Sequence, residues 1–149
     1  MSKKFLIEWA ENYFRSRDIF HKKIISLESS EDRIKITYKD KQETIFVFVD
    51  LSELVLEMLC EDSSIITINS RSNLDFLLLN WDKFACIKSF KLYFINPFST
   101  TEPKWIIHPY IHSKIAEPSA LKIGLISLFG TVEPLTKEML AKRLGSTEL

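Results

Sequence analysis

Residues 33–50 read RIKITYKDKQETIFVFVD, and this stretch decides the fold. From Arg33 to Tyr38, apolar and polar residues alternate, which predicts a strand with one buried and one wet face. The polar separator 39–42 is as short as a hairpin turn, and residues 44–49 are apolar on both faces, as in a central strand. A further branched run at 23–27 comes just before this stretch. Together the three runs predict an antiparallel meander.

The segments on either side of the meander extend it into a mixed sheet. An amphipathic helix with Phe5 and Trp9 on its apolar side precedes it, and helical segments then alternate with strands at 65–68 and 90–95. Alternating helices and strands predict crossovers and parallel pairing. The expected fold is therefore a three-layer α/β domain with a mixed sheet, in which the meander leads into parallel strands. We expect one domain over residues 1–149, with an α/β core at 1–96 and a long aromatic loop and C-terminal helices at 97–149.

The composition excludes several classes of function. Lysine and arginine number 20, and aspartate and glutamate also number 20, so no overall positive charge recruits nucleic acid or anionic lipid. Binding of such ligands would need a local basic patch. The chain has only three glycines, which excludes the glycine-rich phosphate loops GxxxxGK[ST] and GxGxxG.

The cysteines and the apolar runs bear on compartment. Cys60 and Cys86 lie in apolar contexts without CxxC spacing, so we expect inert core thiols, the alternative being a reactive thiol. Glu8 and Glu11 interrupt the apolar run that a signal peptide requires. No stretch reaches the length of a membrane span. We therefore expect a cytoplasmic protein with no membrane partner.

The predicted order of helix, three antiparallel strands, helix and parallel strand resembles the αβββαβ core of the PD-(D/E)xK nuclease superfamily over residues 1–70. The resemblance implies two metal-binding carboxylates and a lysine, the latter within a Glu-x-Lys on the third strand. Here that stretch reads Phe48-Val49-Asp50, which supplies neither the glutamate nor the lysine. Glu8 and Asp32 stand near the other acidic positions.

This departure from the family pattern predicts a scaffold without catalytic residues, metal ligands or cofactor. The resulting hypothesis is a non-catalytic binding or assembly module on a degenerate nuclease-like scaffold. The alternative is a metal-dependent nuclease of the PD-(D/E)xK type with an unaligned acidic site.

Two histidines have the spacing of zinc ligands on a helix. His108 and His112 stand four residues apart, but Pro109 biases His108 away from helical geometry, and no third ligand accompanies the pair. We expect them to cap backbone groups in a packed loop.

The densest basic cluster follows the first predicted helix. It comprises Arg15, Arg17, Lys22 and Lys23, together with His21. Phosphate contacts from such residues would give salt-dependent binding of nucleic acid at zero net charge. The alternative is that these cations complement the helix dipole and keep the surface soluble.

Aromatic residues are concentrated between positions 96 and 112. Phe98, Trp105 and Tyr110 are of the types that anchor protein interfaces, which predicts a docking loop. Alternatively, Trp105 and the two isoleucines after it form another strand with core aromatics. Both interpretations remain open at this point.

A helix predicted from Pro118 to Gly130 is apolar around most of its circumference and includes Leu125 and Phe129. Such a helix needs apolar neighbours on more than one side. A second subunit would supply one of them, so we expect a homodimer or another protein partner. The alternative is that the last predicted helix, 136–144, folds back over it.

Overall fold

The computed structural model describes the backbone of residues 1–148 and the side chains of residues 1–145. At its centre is a six-stranded sheet whose strands lie side by side in chain order. The first three strands are antiparallel, the third to fifth are parallel, and the sixth is antiparallel to the fifth. The strands are β1 (Ile24–Ser29), β2 (Arg33–Tyr38), β3 (Gln42–Val47), β4 (Ser63–Ile68), β5 (Lys91–Ile95) and β6 (Lys104–Ile107). The predicted α/β class, a meander leading into parallel strands, is confirmed.

Helices cover both faces of the sheet. One layer contains the first and last of them, and the other is built mainly from the intervening helices. The helices are α1 (Ser2–Asp18), α2 (Glu53–Glu57), α3 (Arg71–Leu79), α4 (Trp81–Ala85), α5 (Pro109–Ile115), α6 (Leu121–Phe129) and α7 (Lys137–Glu148), with a 3-10 turn at Pro118–Ala120 before α6. None of the helices in the described part of the chain has the length and apolar character to cross a bilayer.

Successive side chains of a strand point to opposite faces of the sheet, so the sheet has a separate hydrophobic core on each face. In β4, Ile65 joins the core under α3, whereas Ile66 and Ile68 join the core under α1. Every residue of β4 is buried because it has a parallel strand on each side and helices on each face. The two central strands of the six are therefore β3, as predicted, and β4, which is the more deeply buried.

The aromatic stretch forms a strand. Trp105 and Ile107 lie in β6, pair with β5, and are buried in the core under α3. The next residues also adopt regular structure, because His108 is extended before Pro109 and α5 begins at that proline. The prediction of a long aromatic loop through this region is wrong, and the alternative of a strand is correct.

The last helix does not cover α6. Leu135 and Leu140 are buried in the core under α1, on the opposite face of the sheet from Leu125 of α6. The interpretation in which the last helix folds back over the preceding one is therefore wrong. Ile123, on the outer side of α6, stays 72% exposed. The homodimer remains a prediction.

The buried contact between the rings of Phe94 in β5 and Trp105 in β6 predicts a large loss of stability when Phe94 is shortened. Phe94 is fully buried and its ring stacks on Trp105 with centroids 4.3 Å apart. We expect Phe94→Ala to lower the free energy of unfolding by about 3–5 kcal/mol, because it removes apolar contacts and leaves a cavity. Urea titration followed by circular dichroism measures this loss. The exposed control Leu54→Ala on α2 should change it by less than about 0.5 kcal/mol. Equal losses in both variants would contradict the assignment of Phe94 to the core.

Candidate functional site

Two turns approach each other at one end of the sheet. The first, residues 19–23, joins α1 to β1, and the second, Lys39–Lys41, joins β2 to β3; they meet because Ile24 pairs with Tyr38. Between them lies a cleft of about 920 Å³, and its walls carry six cationic side chains and two carboxylates. We call it the basic cleft and define it by Arg17, Lys22, Lys23, Lys39, Lys41 and Lys91.

The cleft has a polar floor built around Glu43. This carboxylate is buried and accepts a hydrogen bond from the Ser64 hydroxyl at 2.9 Å. Lys91 Nζ lies 3.9 Å from the same oxygen, and the Tyr38 hydroxyl lies 3.5 Å from the other one. Glu43 and the second wall carboxylate, Asp40, thus offset two of the six positive charges, and the walls of the cleft keep an excess of positive charge.

Two tyrosines beside Glu43 remain protonated at neutral pH. Burial, and then the negative charge of Glu43, raise the pKa of Tyr38 to about 12. The same two causes raise the pKa of Tyr93, which lines a smaller hollow of about 230 Å³ continuous with the floor. The phenols therefore act as neutral hydrogen-bonding groups under the cationic walls.

The turn before β1 has a defined shape. The Asp18 carboxylate accepts hydrogen bonds from the backbone N–H groups of Lys23 at 2.8 Å and Ile24 at 3.1 Å. Lys22 adopts a left-handed backbone conformation with φ of 47° and donates its N–H to the Asp18 carbonyl. These contacts hold the two lysines at the rim of the cleft.

The structure brings together three of the four basic residues singled out from the sequence. Arg17, Lys22 and Lys23 line the cleft, and His21 lines the smaller hollow, whereas Arg15 lies exposed on α1 outside both. The residues predicted from the sequence did not include Lys39, Lys41, Lys91 or the residues of the floor. The signal for the first two was the charged turn KDK at 39–41, since an antiparallel meander places that turn beside the start of β1.

The aromatic and apolar residues predicted as interface anchors lie mostly in the cores. Trp105 and Leu125 are buried, and Phe129 packs against the same core. Phe98 stacks on Phe5 with centroids 5.5 Å apart, and Tyr110 is half-buried on α5 beneath Lys114. Trp105 and Leu125 would have to leave the core before a partner could reach them.

The opposite end of the sheet is closed by asparagines. The Asn69 amide, just after β4, donates to the carbonyls of Phe129 and Val132, and its oxygen accepts from Trp105 Nε1 at 2.7 Å. Asn96, just after β5, donates to the Glu133 carbonyl at 2.9 Å. In open α/β sheets, ligands commonly bind at the carboxyl ends of the strands. Here the connection from α6 to α7 occupies that edge.

The predicted acidic and histidine residues do not converge. Asp32 pairs with Arg33 at 3.0 Å, Asp50 pairs with Lys137 at 3.3 Å, and Glu8 lies exposed on α1. Among the described residues, no group of three or more His, Cys, Asp or Glu side chains could hold a metal ion.

The histidines and cysteines have separate surroundings. The ring of His112 stands edge-on to Trp81 with centroids 5.6 Å apart, and His108 makes no side-chain cap at the start of α5. Burial, and then the charge of Lys91, lower the pKa of His108. The expectation that these histidines cap backbone groups from a loop is wrong for His108, which precedes a helix. Cys60 and Cys86 are both exposed, so the expectation of core thiols is also wrong.

A second hollow lies in the helical layer that contains α3. It has a volume of about 510 Å³ and lies between α3, α4, α5 and the start of α6, with Leu79 and Trp81 in its wall. Leu79 is 84% exposed, Ile115 of α5 is 80% exposed, and Ile123 marks the outer side of α6. We call these three residues the apolar helical surface. Exposed large apolar residues mark contact sites where they form a contiguous patch.

Comparison with known proteins identifies no relative. No family model matches the chain, and no curated protein or solved structure is significantly similar to it. The element order behind the nuclease resemblance is present, since α1, the meander, α2 and a parallel β4 follow in turn. The resemblance itself stays a prediction.

The raised pKa of Tyr38 predicts a loss of stability at high pH. The unfolded chain releases this proton near the ordinary value of 10.0, whereas the folded protein keeps it until the pH reaches about 12. The folded state therefore binds more protons in this window, so the stabilisation is complete below pH 10 and is lost as the pH rises to 12. Urea titrations across this range should show a steeper fall for the parent than for Tyr38→Phe. If the free energy of unfolding fell equally steeply with pH in both proteins, the raised pKa would not belong to Tyr38.

Proposed function

We propose that this protein is a non-catalytic binding module that holds the phosphate groups of a nucleic acid in the basic cleft. The observation that carries the proposal is the convergence of six lysine and arginine side chains on one cleft in a chain with zero formal net charge. Such a local concentration attracts phosphates and releases counterions on binding.

The cations come from separate parts of the chain. Arg17 belongs to α1, two lysines belong to the turn after it, two belong to the turn between β2 and β3, and Lys91 begins β5. Of the six, in the part of the chain that the structure describes, only Lys91 forms an ion pair, and its partner is Glu43. Arg17 contacts the hydroxyl and ring of Tyr13, and Lys41 lies over the ring of Tyr38, but these neutral partners leave both positive charges uncompensated.

The arrangement of the acidic residues supports a non-catalytic role. A metal-dependent nuclease gathers carboxylates around one or two ions. Here the acids expected from the nuclease resemblance are Glu8, which lies exposed on α1, and Asp32, which pairs with Arg33. Asp50, in the place of the motif's lysine, pairs with Lys137. The alternative, a metal-dependent nuclease, is tested by incubating labelled DNA and RNA with the protein in Mg²⁺ or Mn²⁺. Cleavage that a chelator abolishes would replace the binding module with the nuclease.

Charge reversal tests the cleft directly. We expect the parent to bind a fluorescein-labelled oligonucleotide of about 20 nucleotides at about 50 mM salt, and to lose affinity steeply as salt rises. The triple variant Lys22→Glu, Lys23→Glu, Lys41→Glu should bind at least about tenfold more weakly, because three phosphate contacts become repulsions. Fluorescence anisotropy measures both affinities.

A matched control carries the same change of charge far from the cleft. The variant Lys83→Glu, Lys114→Glu, Lys122→Glu replaces exposed lysines on α4, α5 and α6. It should retain the parent affinity within about threefold, since net charge alone contributes little beyond a Debye length. Absence of binding by the parent, or equal weakening in both triple variants, would overturn the proposal.

A second proposed function is assembly with another copy through the apolar helical surface. The observation in favour is that Leu79, Ile115 and Ile123 are exposed on three helices, while α7 packs on the other face of the sheet. The nearby hollow carries charges of both signs, Asp82, Lys83 and Glu117, which suit a neutral partner with the same mixture better than a polyanion. Closed two-fold dimers are the commonest assembly of this kind.

Self-association predicts a concentration-dependent mass. Sedimentation equilibrium at micromolar concentration should give a mass near twice 17.4 kDa. The variant Ile115→Asp, Ile123→Asp should remain folded and monomeric, because both side chains are exposed in the single chain. Ile25→Asp, which changes an exposed isoleucine on β1, should leave the protein a dimer. A parent mass of 17.4 kDa would rule the dimer out.

A further inference from the structure

The turn beside the basic cleft carries an aromatic ring that the fold does not use. Phe20 is 91% exposed, more than any other large hydrophobic side chain among the described residues. It lies between Ile19, which is also exposed, and His21, whose side chain lines the smaller hollow. An exposed phenylalanine in a mobile tail would mean little, but this one belongs to an ordered turn.

Hydrogen bonds on both sides of Phe20 fix the turn. Before it, the Ile19 N–H contacts the Ser16 carbonyl at 3.4 Å, and after it the Lys22 N–H donates to the Asp18 carbonyl at 2.8 Å. The Asp18 carboxylate then holds the N–H groups of Lys23 and Ile24. The ring is therefore presented to solvent from the same turn that carries Lys22 and Lys23 of the cleft.

We propose that the ligand of the basic cleft is a single-stranded nucleic acid, one of whose bases stacks on Phe20. This inference rests on the proposed function and names the class of ligand. Proteins that bind single strands combine a cationic groove along the backbone with aromatic rings on which bases stack. The cleft supplies the first part and Phe20 the second. Ile25, exposed in the wall of the cleft, adds an apolar surface for a sugar or a base edge.

The size of the cleft favours a single strand over a duplex. A volume of about 920 Å³ lies in the range of clefts that take small ligands, about 300–1,000 Å³, so it can hold a few nucleotides of a single strand but not a duplex. The bases of a duplex are also stacked on one another, so none of them is free to cover a protruding phenylalanine. A concave cleft likewise fits a flexible chain better than the plane of a lipid bilayer.

Substitution of Phe20 separates stacking from charge attraction. With labelled oligothymidylate as the probe, Phe20→Ala should weaken binding about 5- to 100-fold, the range for loss of one base–aromatic stack. Phe20→Leu should weaken it similarly because leucine is apolar but has no ring face, and Phe20→Tyr should restore the parent affinity. Ile19→Ala is the matched control in the same turn and should bind like the parent.

A hairpin duplex should bind at least about tenfold more weakly than the single strand, and Phe20→Ala should not change that binding.

The remaining outcomes distinguish this inference from the proposed function. If reversal of the cleft lysines abolishes binding while Phe20→Ala and Phe20→Leu bind like the parent, the stacking role is overturned and the binding module stands. Equal affinity for the hairpin duplex would overturn the single-strand assignment alone. If vesicles of phosphatidylcholine and phosphatidylserine bind in a Phe20-dependent way and oligothymidylate does not, the ligand is a lipid surface and both statements about nucleic acid are overturned.

Discussion

The burial of β4 on both faces is the constraint on which the rest of the structure depends. All six residues from Ser63 to Ile68 are inaccessible, so a helical layer must cover each face and a strand must pair along each edge. Its polar members have partners, as with Ser64 and Glu43 at one end and Thr67 and the Val49 carbonyl at the other. Because Asn69 follows directly, β4 also positions the contacts that hold the α6–α7 connection over the carboxyl edge.

Local sequence patterns predicted the sheet well, and contacts distant in sequence were harder to predict. The alternation in β2 and the apolar run of β3 specify pairing with near neighbours, and these elements appear as expected. The position of α7 depends on which apolar face accepts Leu140, and nothing in residues 136–144 distinguishes the core under α1 from the one under α3. The sequence around Trp105 is likewise compatible with an interface anchor and with a core residue. Its pairing with Phe94 across β5 and β6 places it in the core.

The candidate site was predictable only where its residues are close in sequence. Arg17, Lys22 and Lys23 formed a visible cluster, but Lys91 reaches the same cleft through the register of β5 beside β4. The cysteines were misjudged for a different reason, since the general tendency of thiols to be buried says nothing about Cys60 or Cys86 in particular. Placing a residue at this site therefore required strand registers rather than residue preferences.

The strand order has a consequence for how the chain reaches this structure. Because each strand lies beside its neighbour in sequence, the sheet grows by adding every new strand to a free edge, and no strand has to insert between two others already paired. Most sheet contacts therefore close short loops, which costs little chain entropy and favours fast formation. A ribosome releasing the chain from its amino end would allow the meander to assemble first and each later strand to join on emergence. The contacts of Asn69 with Val132 span 63 residues and need α6, and the packing of Leu140 in the core under α1 comes later still, once α7 has been made.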